Sequence, residues 1–226
     1  MLFGLKWRVK DFFYMFLAGL FVVVFSAIVN HAMGSGINVN KVNAVKQNIL
    51  KPFEEDFVIG DKNAPIEIVF YGDFTCHHCM RFMDDVFLEL NKKYISKKKV
   101  KFIFRPVISL KRSLYGSKFL FCDKRTDAKN ADILSKMFNK KWMMSEDYIN
   151  ALAKLVKKEN WSSVEHFVEC VNSKKIQNIL QKMYKTKIEP LDIHETPHVF
   201  INKTEITADK HIFKYIDREL KKYKKQ

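Results

Sequence analysis

Glycine and proline are scarce, seven and five among 226 residues, which excludes collagen-like and linker-rich chains. Cysteine is scarcer still. Four of them cannot scaffold a disulfide-stapled miniprotein, so their positions carry the information. No segment recurs at a fixed period, which argues against a solenoid. Acidic residues are in deficit, 25 against 40 lysines and arginines, for a formal net charge of +15. Apolar side chains are plentiful: 47% hydrophobic and 14% aromatic residues supply a real core and exclude wholesale disorder.

The basic excess does not read as nucleic-acid binding. The lysines are spread along the chain, in Lys97-Lys98-Lys99, Lys140-Lys141, Lys157-Lys158, Lys174-Lys175 and the C-terminal stretch. No RNP, zinc-finger or recognition-helix signature accompanies them. Attraction to anionic lipid head groups suits such a surface better, if the domain sits near a membrane.

One long hydrophobic run exists. Residues 12–29 (FFYMFLAGLFVVVFSAIV) are 18 positions without a charge, near the ~20 needed to span a bilayer. Lys6, Arg8 and Lys10 precede them, opposed only by Asp11. That flank should stay in the cytoplasm and send the rest of the chain outward. The competing reading is a cleaved signal peptide, whose apolar region runs about 7–15 residues. Its cleavage sites at Ala27, Ala32 or Gly34-Ser35-Gly36 are poor, so an uncleaved anchor is favoured. Either way the domain is exported. The expected organisation is an anchor or signal segment over 1–33, a tether over 34–57 and one domain over 58–226.

Within that domain the hydrophobic period changes repeatedly. Ile66-Glu67-Ile68-Val69-Phe70-Tyr71, between Ala64-Pro65 and Gly72-Asp73, reads as a buried strand. Met80, Phe82, Met83, Val86, Phe87 and Leu90 then fall on a helical stripe. Val100-Lys101-Phe102-Ile103-Phe104 reads as a second strand. Residues from about 109 to 187 are helical in character, with no convincing strand. His198-Val199-Phe200-Ile201-Asn202 is a third strand, Glu205-Ile206-Thr207 pairs back with it, and Phe213, Ile216 and Leu220 mark a closing helix. The class is α/β with an inserted all-helical region.

Between the first strand and helix lies Cys76-His77-His78-Cys79. Two cysteines spaced by two residues at a strand-to-helix junction read as a thioredoxin-like redox motif. A first helical turn offers unpaired N–H groups and the positive end of the dipole, which stabilise an anion. Cys76 is therefore expected as a low-pKa thiolate. Cys79, one turn on, can close the disulfide, and His78 can donate a hydrogen bond or add positive charge. A stabilised thiolate favours the reduced form and makes a stronger oxidant. The same four residues could instead ligate a metal. Adjacent side chains diverge, however, and structural zinc usually draws on two separated pairs, while no second C-x-x-C exists. No metal site is expected.

At these residues the chain resembles the DsbA-like thiol:disulfide interchange proteins of the thioredoxin superfamily. The resemblance rests on Gly60-Asp61-Lys62-Asn63-Ala64-Pro65, on Asp73-Phe74-Thr75 followed by Cys76-His77-His78-Cys79, and on Thr196-Pro197-His198-Val199-Phe200-Ile201-Asn202. It implies a thioredoxin fold interrupted by a helical domain. Cys76 would be the attacking cysteine and Cys79 the buried resolving one. Pro197 would be a cis-proline facing the disulfide, and Thr196 would offer its backbone to an extended substrate. Two departures stand out. His77-His78 replaces the family's more frequent Pro-His, and Lys203 stands where glycine usually follows Ile201-Asn202.

The resemblance also bears on Cys122 and Cys170, since similar pairs form a second, structural disulfide in some members. Export favours that bond over two buried free thiols. Loop closure of this length is worth about 3–5 kcal/mol by the chain-entropy argument. Asp73 reads as an exposed turn carboxylate, with proton transfer to Cys79 as its alternative role. His194 and His198 flank the proline loop as ordinary surface or strand residues, and Trp142-Met143-Met144 and Trp161 as packing in the insertion.

The expected activity is that of a monomeric, membrane-tethered, periplasm-facing enzyme. It would oxidise cysteine pairs in unfolded exported proteins, with no cofactor beyond its own Cys76–Cys79 disulfide. A DsbB-type membrane partner would reoxidise it. The alternatives are a periplasmic reductase or isomerase, and a membrane-tethered metal-binding or chaperone module. Isomerases of the superfamily usually carry a separate dimerisation domain, for which the tether is too short.

Overall fold

A computed structural model describes residues 46–122, 127–138, 145, 147–160 and 163–224. The candidate anchor, Trp142 to Met144 and Trp161 lie outside the described residues. Among those described, no helix is long and apolar enough to cross a membrane.

Five strands build the sheet: β1 (Phe57–Ile59), β2 (Ile66–Gly72), β3 (Val100–Pro106), β4 (His198–Ile201) and β5 (Thr204–Ile206). Their order across the sheet is β1-β3-β2-β4-β5. Only β2 and β3 are parallel, in register from Ile66 opposite Val100 to Gly72 opposite Pro106. A parallel pair needs a crossover, and it is covered on both faces, which is why both strands are almost wholly apolar.

The crossover is the helical run behind the cysteines. α1 (His77–Phe82) continues through a π-helical stretch (Met83–Phe87), α2 (Leu88–Leu90) and a second π-helical stretch (Asn91–Ile95), with right-handed backbone at every junction. Its stripe packs on one face of the sheet: Phe82 on Phe70 at 4.6 Å and Phe87 edge-on to Phe102 at 5.0 Å between centroids.

Into this frame the chain inserts α3 (Lys111–Cys122), α4 (Asp127–Met137), α5 (Tyr148–Lys158), α6 (Val164–Val171) and α7 (Lys174–Met183). Short polar residues punctuate this block. Asp147, Ser163 and Ser173 each cap the helix that follows by accepting a backbone N–H at its third residue. Phe119 packs edge-on to Phe167 at 5.4 Å, joining α3 to α6, and the Cys122–Cys170 disulfide closes the same seam. Phe138, just past α4, reaches Phe74 at 4.7 Å and Phe104 at 5.7 Å, so the insertion packs beside the turn that carries the cysteines. The closing helix α8 (Ile212–Tyr223) docks on the end of the crossover, where Tyr94 stacks on Phe213 and donates to Asp217 at 2.9 Å.

The folded unit begins earlier than the tether boundary at 57 placed it. Ile49, Leu50, Asp56 and Phe57 are all buried. The cause lies on the far face of the sheet. Arg105 on β3 is fully buried and donates to Asp56 at 2.8 Å, to the carbonyls of Ile49 and Lys51 at 3.1 and 2.9 Å, and to the Tyr71 hydroxyl at 2.8 Å. Burial opposes the guanidinium's charge, and Asp56 and Tyr71 outweigh it, leaving its pKa raised. Burial also pushes Tyr71 up to about 12. One buried cation thus needs residues 49–56 as its counterparts, and they fold onto the sheet with it.

Lys203 finds its explanation in the β4–β5 hairpin. Asn202 and Lys203 both have positive φ, 44° and 71°, the pattern of a two-residue primed turn. Asn202 is held there by accepting the Glu67 N–H and donating its own N–H to the Glu67 carbonyl, both at 2.9 Å.

Candidate active site

β2 ends in the middle of the sheet, and the next residues form a tight turn before α1. Cys76 is the N-cap of that helix: its backbone is extended, its carbonyl accepts the Met80 N–H at 3.1 Å, and its sulfur accepts the Cys79 N–H at 3.4 Å. The Cys76 thiol donates to the Thr196 carbonyl at 3.2 Å. Cys76 is half-buried and Cys79 fully buried, and both are free thiols.

The two sulfurs are pushed in opposite directions. The hydrogen bond from the Cys79 thiol, aided by the Thr196 side chain and by the backbone N–H groups of Cys79 and His78, outweighs burial and lowers Cys76 from its ordinary 9.0 to about 5. Burial, reinforced by Cys76 itself, drives Cys79 far up. Cys76 is therefore the thiolate near neutral pH and Cys79 the thiol. His77 and His78 are exposed, and His78 acts on the sulfur through its backbone N–H.

Thr196-Pro197 is a cis peptide and faces this pair. With His78, Arg81, Phe82 and Val86 of the crossover and with Ala208 to Lys210, these two residues line a groove of about 400 Å³. His198, which starts β4, bonds Glu205 at 2.9 Å, and His194 pairs with Asp192 at 2.8 Å on the surface. Neither reaches the cysteines. No group of three His, Cys, Asp or Glu that could hold a metal occurs among the described residues.

Asp73 corrects an expectation. It is not an exposed turn carboxylate but 3% exposed, because Thr75 and Ser109 both donate to it. Sequence reasoning overlooked Thr75 and Ser109. The Asp-x-Thr spacing before a helix cap is an Asx-type turn signal that points to Thr75, whereas Ser109, 36 positions away, leaves no such trace.

A family model described as thioredoxin matches residues 53–218. The chain belongs to the thioredoxin family. Its structural neighbours within the family include DsbA proteins. The crystal structure of Wolbachia pipientis alpha-DsbA1 superposes with a TM-score of 0.67 and 26% identity, covering 78% of this chain and 96% of that one. BdbD from Bacillus subtilis, in its oxidised form, gives a TM-score of 0.65 and 25% identity over 75% and 95%. A Rickettsia conorii protein assigned by name as a protein-disulfide oxidoreductase is 28% identical over 162 residues, 71% of this chain and 58% of that one. The chain thus spans about three fifths of the length of this rickettsial relative.

Proposed function

We propose that this thioredoxin-family chain is a thiol:disulfide oxidoreductase that donates its Cys76–Cys79 disulfide to cysteine pairs in exported proteins. The observation that carries the reading is the asymmetry of the two sulfurs, one half-exposed and lowered to about 5, the other buried and raised. A substrate thiolate attacks Cys76, the accessible sulfur, and the Cys76–Cys79 bond breaks. Cys79 leaves and takes a proton, as its burial favours. A second substrate thiolate attacks the mixed disulfide on the substrate's own sulfur and releases Cys76 as thiolate, the better leaving group. The substrate loses two electrons and two protons, and the enzyme's disulfide becomes a thiolate and a thiol plus one released proton.

The groove beside Thr196 and Pro197 suits an extended segment of unfolded substrate. The names of the relatives support the class of chemistry. The oxidising direction follows from the stabilised thiolate, since what stabilises the reduced form strengthens the oxidant. The apolar run at 12–29 with its basic flank supports a membrane anchor that leaves the catalytic domain on the periplasmic side. There, a DsbB-type membrane protein would restore the disulfide. The redox group is the protein's own, so no separate cofactor enters.

The test is the reduction potential of the Cys76–Cys79 pair against glutathione. A value near about −120 mV is expected for a disulfide donor. A value near about −270 mV, the range of thioredoxin, would reverse the electron flow and make the chain a reductase.

A further inference from the structure

Four donors converge on the carboxylate of Asp73. Oδ1 accepts the Thr75 N–H and the Thr75 hydroxyl, each at 2.6 Å. Oδ2 accepts the Ser109 N–H at 2.9 Å and the Ser109 hydroxyl at 2.6 Å. The Asp73 carbonyl in turn accepts the Cys76 N–H at 3.0 Å. A carboxylate is an acceptor at both oxygens, whereas an asparagine would turn an N–H against one of these donor pairs.

These bonds join two segments that are distant in sequence. Thr75 and Cys76 belong to the redox turn, and Ser109 lies between β3 and α3, where the helical insertion begins. Val107 adds a backbone bond to the Gly72 carbonyl at 2.9 Å. The Cys76 sulfur depends on the turn because its acceptor geometry comes from its place at the helix cap, not from the flexible end of a long side chain.

We propose that Asp73 is a positioning residue for Cys76: it clamps the redox turn to the Ser109 loop and so keeps the Cys76 sulfur within reach of the Cys79 and His78 N–H groups. This inference rests on the reading of Cys76 as the attacked sulfur. It also carries a sign that separates it from a charge effect. Removing a nearby anion would make the thiolate easier to form and lower its pKa, whereas loosening the turn withdraws N–H donors and raises it.

The test follows alkylation of Cys76 against pH in the full-length chain, with the site identified by mass spectrometry, alongside the melting temperature. The variants are Asp73→Asn, Asp73→Ala, Thr75→Val and Ser109→Ala. The wild-type midpoint is expected at about 5. In the Asp73 variants it should rise by about one unit or more, a roughly tenfold loss of thiolate below the midpoint. Thr75→Val and Ser109→Ala keep the carboxylate and should shift it the same way by less. If the Asp73 variants do not fold, those two decide by direction alone. Midpoints that stay put while melting temperatures fall would reduce Asp73 to a structural role and overturn the inference, as would a downward shift. A wild-type midpoint at the ordinary 9.0 would instead overturn the functional reading, and this inference with it.

Discussion

Cys76 and Cys79 stand three residues apart at a helix start as free thiols, whereas Cys122 and Cys170, 48 positions apart, are bonded across two helices of the insertion. Each pair is set by what surrounds it. The first pair is unequal: one sulfur caps a helix and gathers N–H donors, and its partner lies beneath it in an apolar core. The second pair is nearly symmetric, both residues half-buried beside the Phe119–Phe167 contact, and each stands in the last turn of its own helix. Inequality gives a bond that exchanges, because one sulfur attacks or leaves more readily than the other. Symmetry between packed helices gives a bond that holds.

The strongest way to break this comparison is to exchange consequences between the pairs. Cys76→Ser should abolish oxidation of a dithiol peptide, a fall of at least about a thousandfold given that the nucleophile itself is removed. Cys122→Ala with Cys170→Ala should leave that rate nearly intact. Conversely, the double alanine variant should lose about 3–5 kcal/mol of stability in urea, in line with closure of a loop of this size. A double variant that loses oxidase activity in the folded state would show that the insertion disulfide takes part in the chemistry.

Much of this site is legible in sequence because its chemistry is local. The C-x-x-C spacing, the buried strand before it and the helical stripe after it all lie within about one βα unit. What the sequence hides is long-range and polar. β1 has only three residues, too short for a period to show, and it is a strand because Phe57 pairs with Phe104. The docking of residues 49–56 onto the sheet depends on Arg105, some fifty positions away, and a lone arginine in a strand pattern does not announce its partners. Asp73 looks like any turn aspartate until Ser109 is brought to it. His78 is a different case: its imidazole invites a role, and its backbone N–H, a group that every non-proline residue has, reaches the Cys76 sulfur.

pH sharpens the comparison further. Cys76 is lowered from 9.0 to about 5, so its ionisation contributes stability to the reduced protein that is fully present only above the unfolded value and is lost as pH falls through about 5. Cys79 is raised, and below about pH 8 it stays protonated in folded and unfolded chains alike, so it adds no slope there. Reduced wild type should therefore gain stability over Cys76→Ser steadily from about pH 5 to 8 in urea titrations, with the difference vanishing below that window. The insertion pair, being bonded, contributes no such slope. A flat difference would mean that Cys76 is an ordinary thiol.

The smallest expected effect concerns His78 and separates side chain from backbone. His78→Ala removes the imidazole and keeps the N–H that reaches the Cys76 sulfur. The thiolate midpoint should move by less than about half a unit, since the main donors are untouched. His78→Pro deletes that N–H instead. Position 78 is the second residue of α1, in the first turn, where an N–H has no intrahelical partner and proline is tolerated. The helix should therefore persist, and the Cys76 midpoint should rise. A larger shift in His78→Ala than in His78→Pro would return the role to the imidazole and make the identity of the residue, not merely its place in the turn, a determinant of the redox pair.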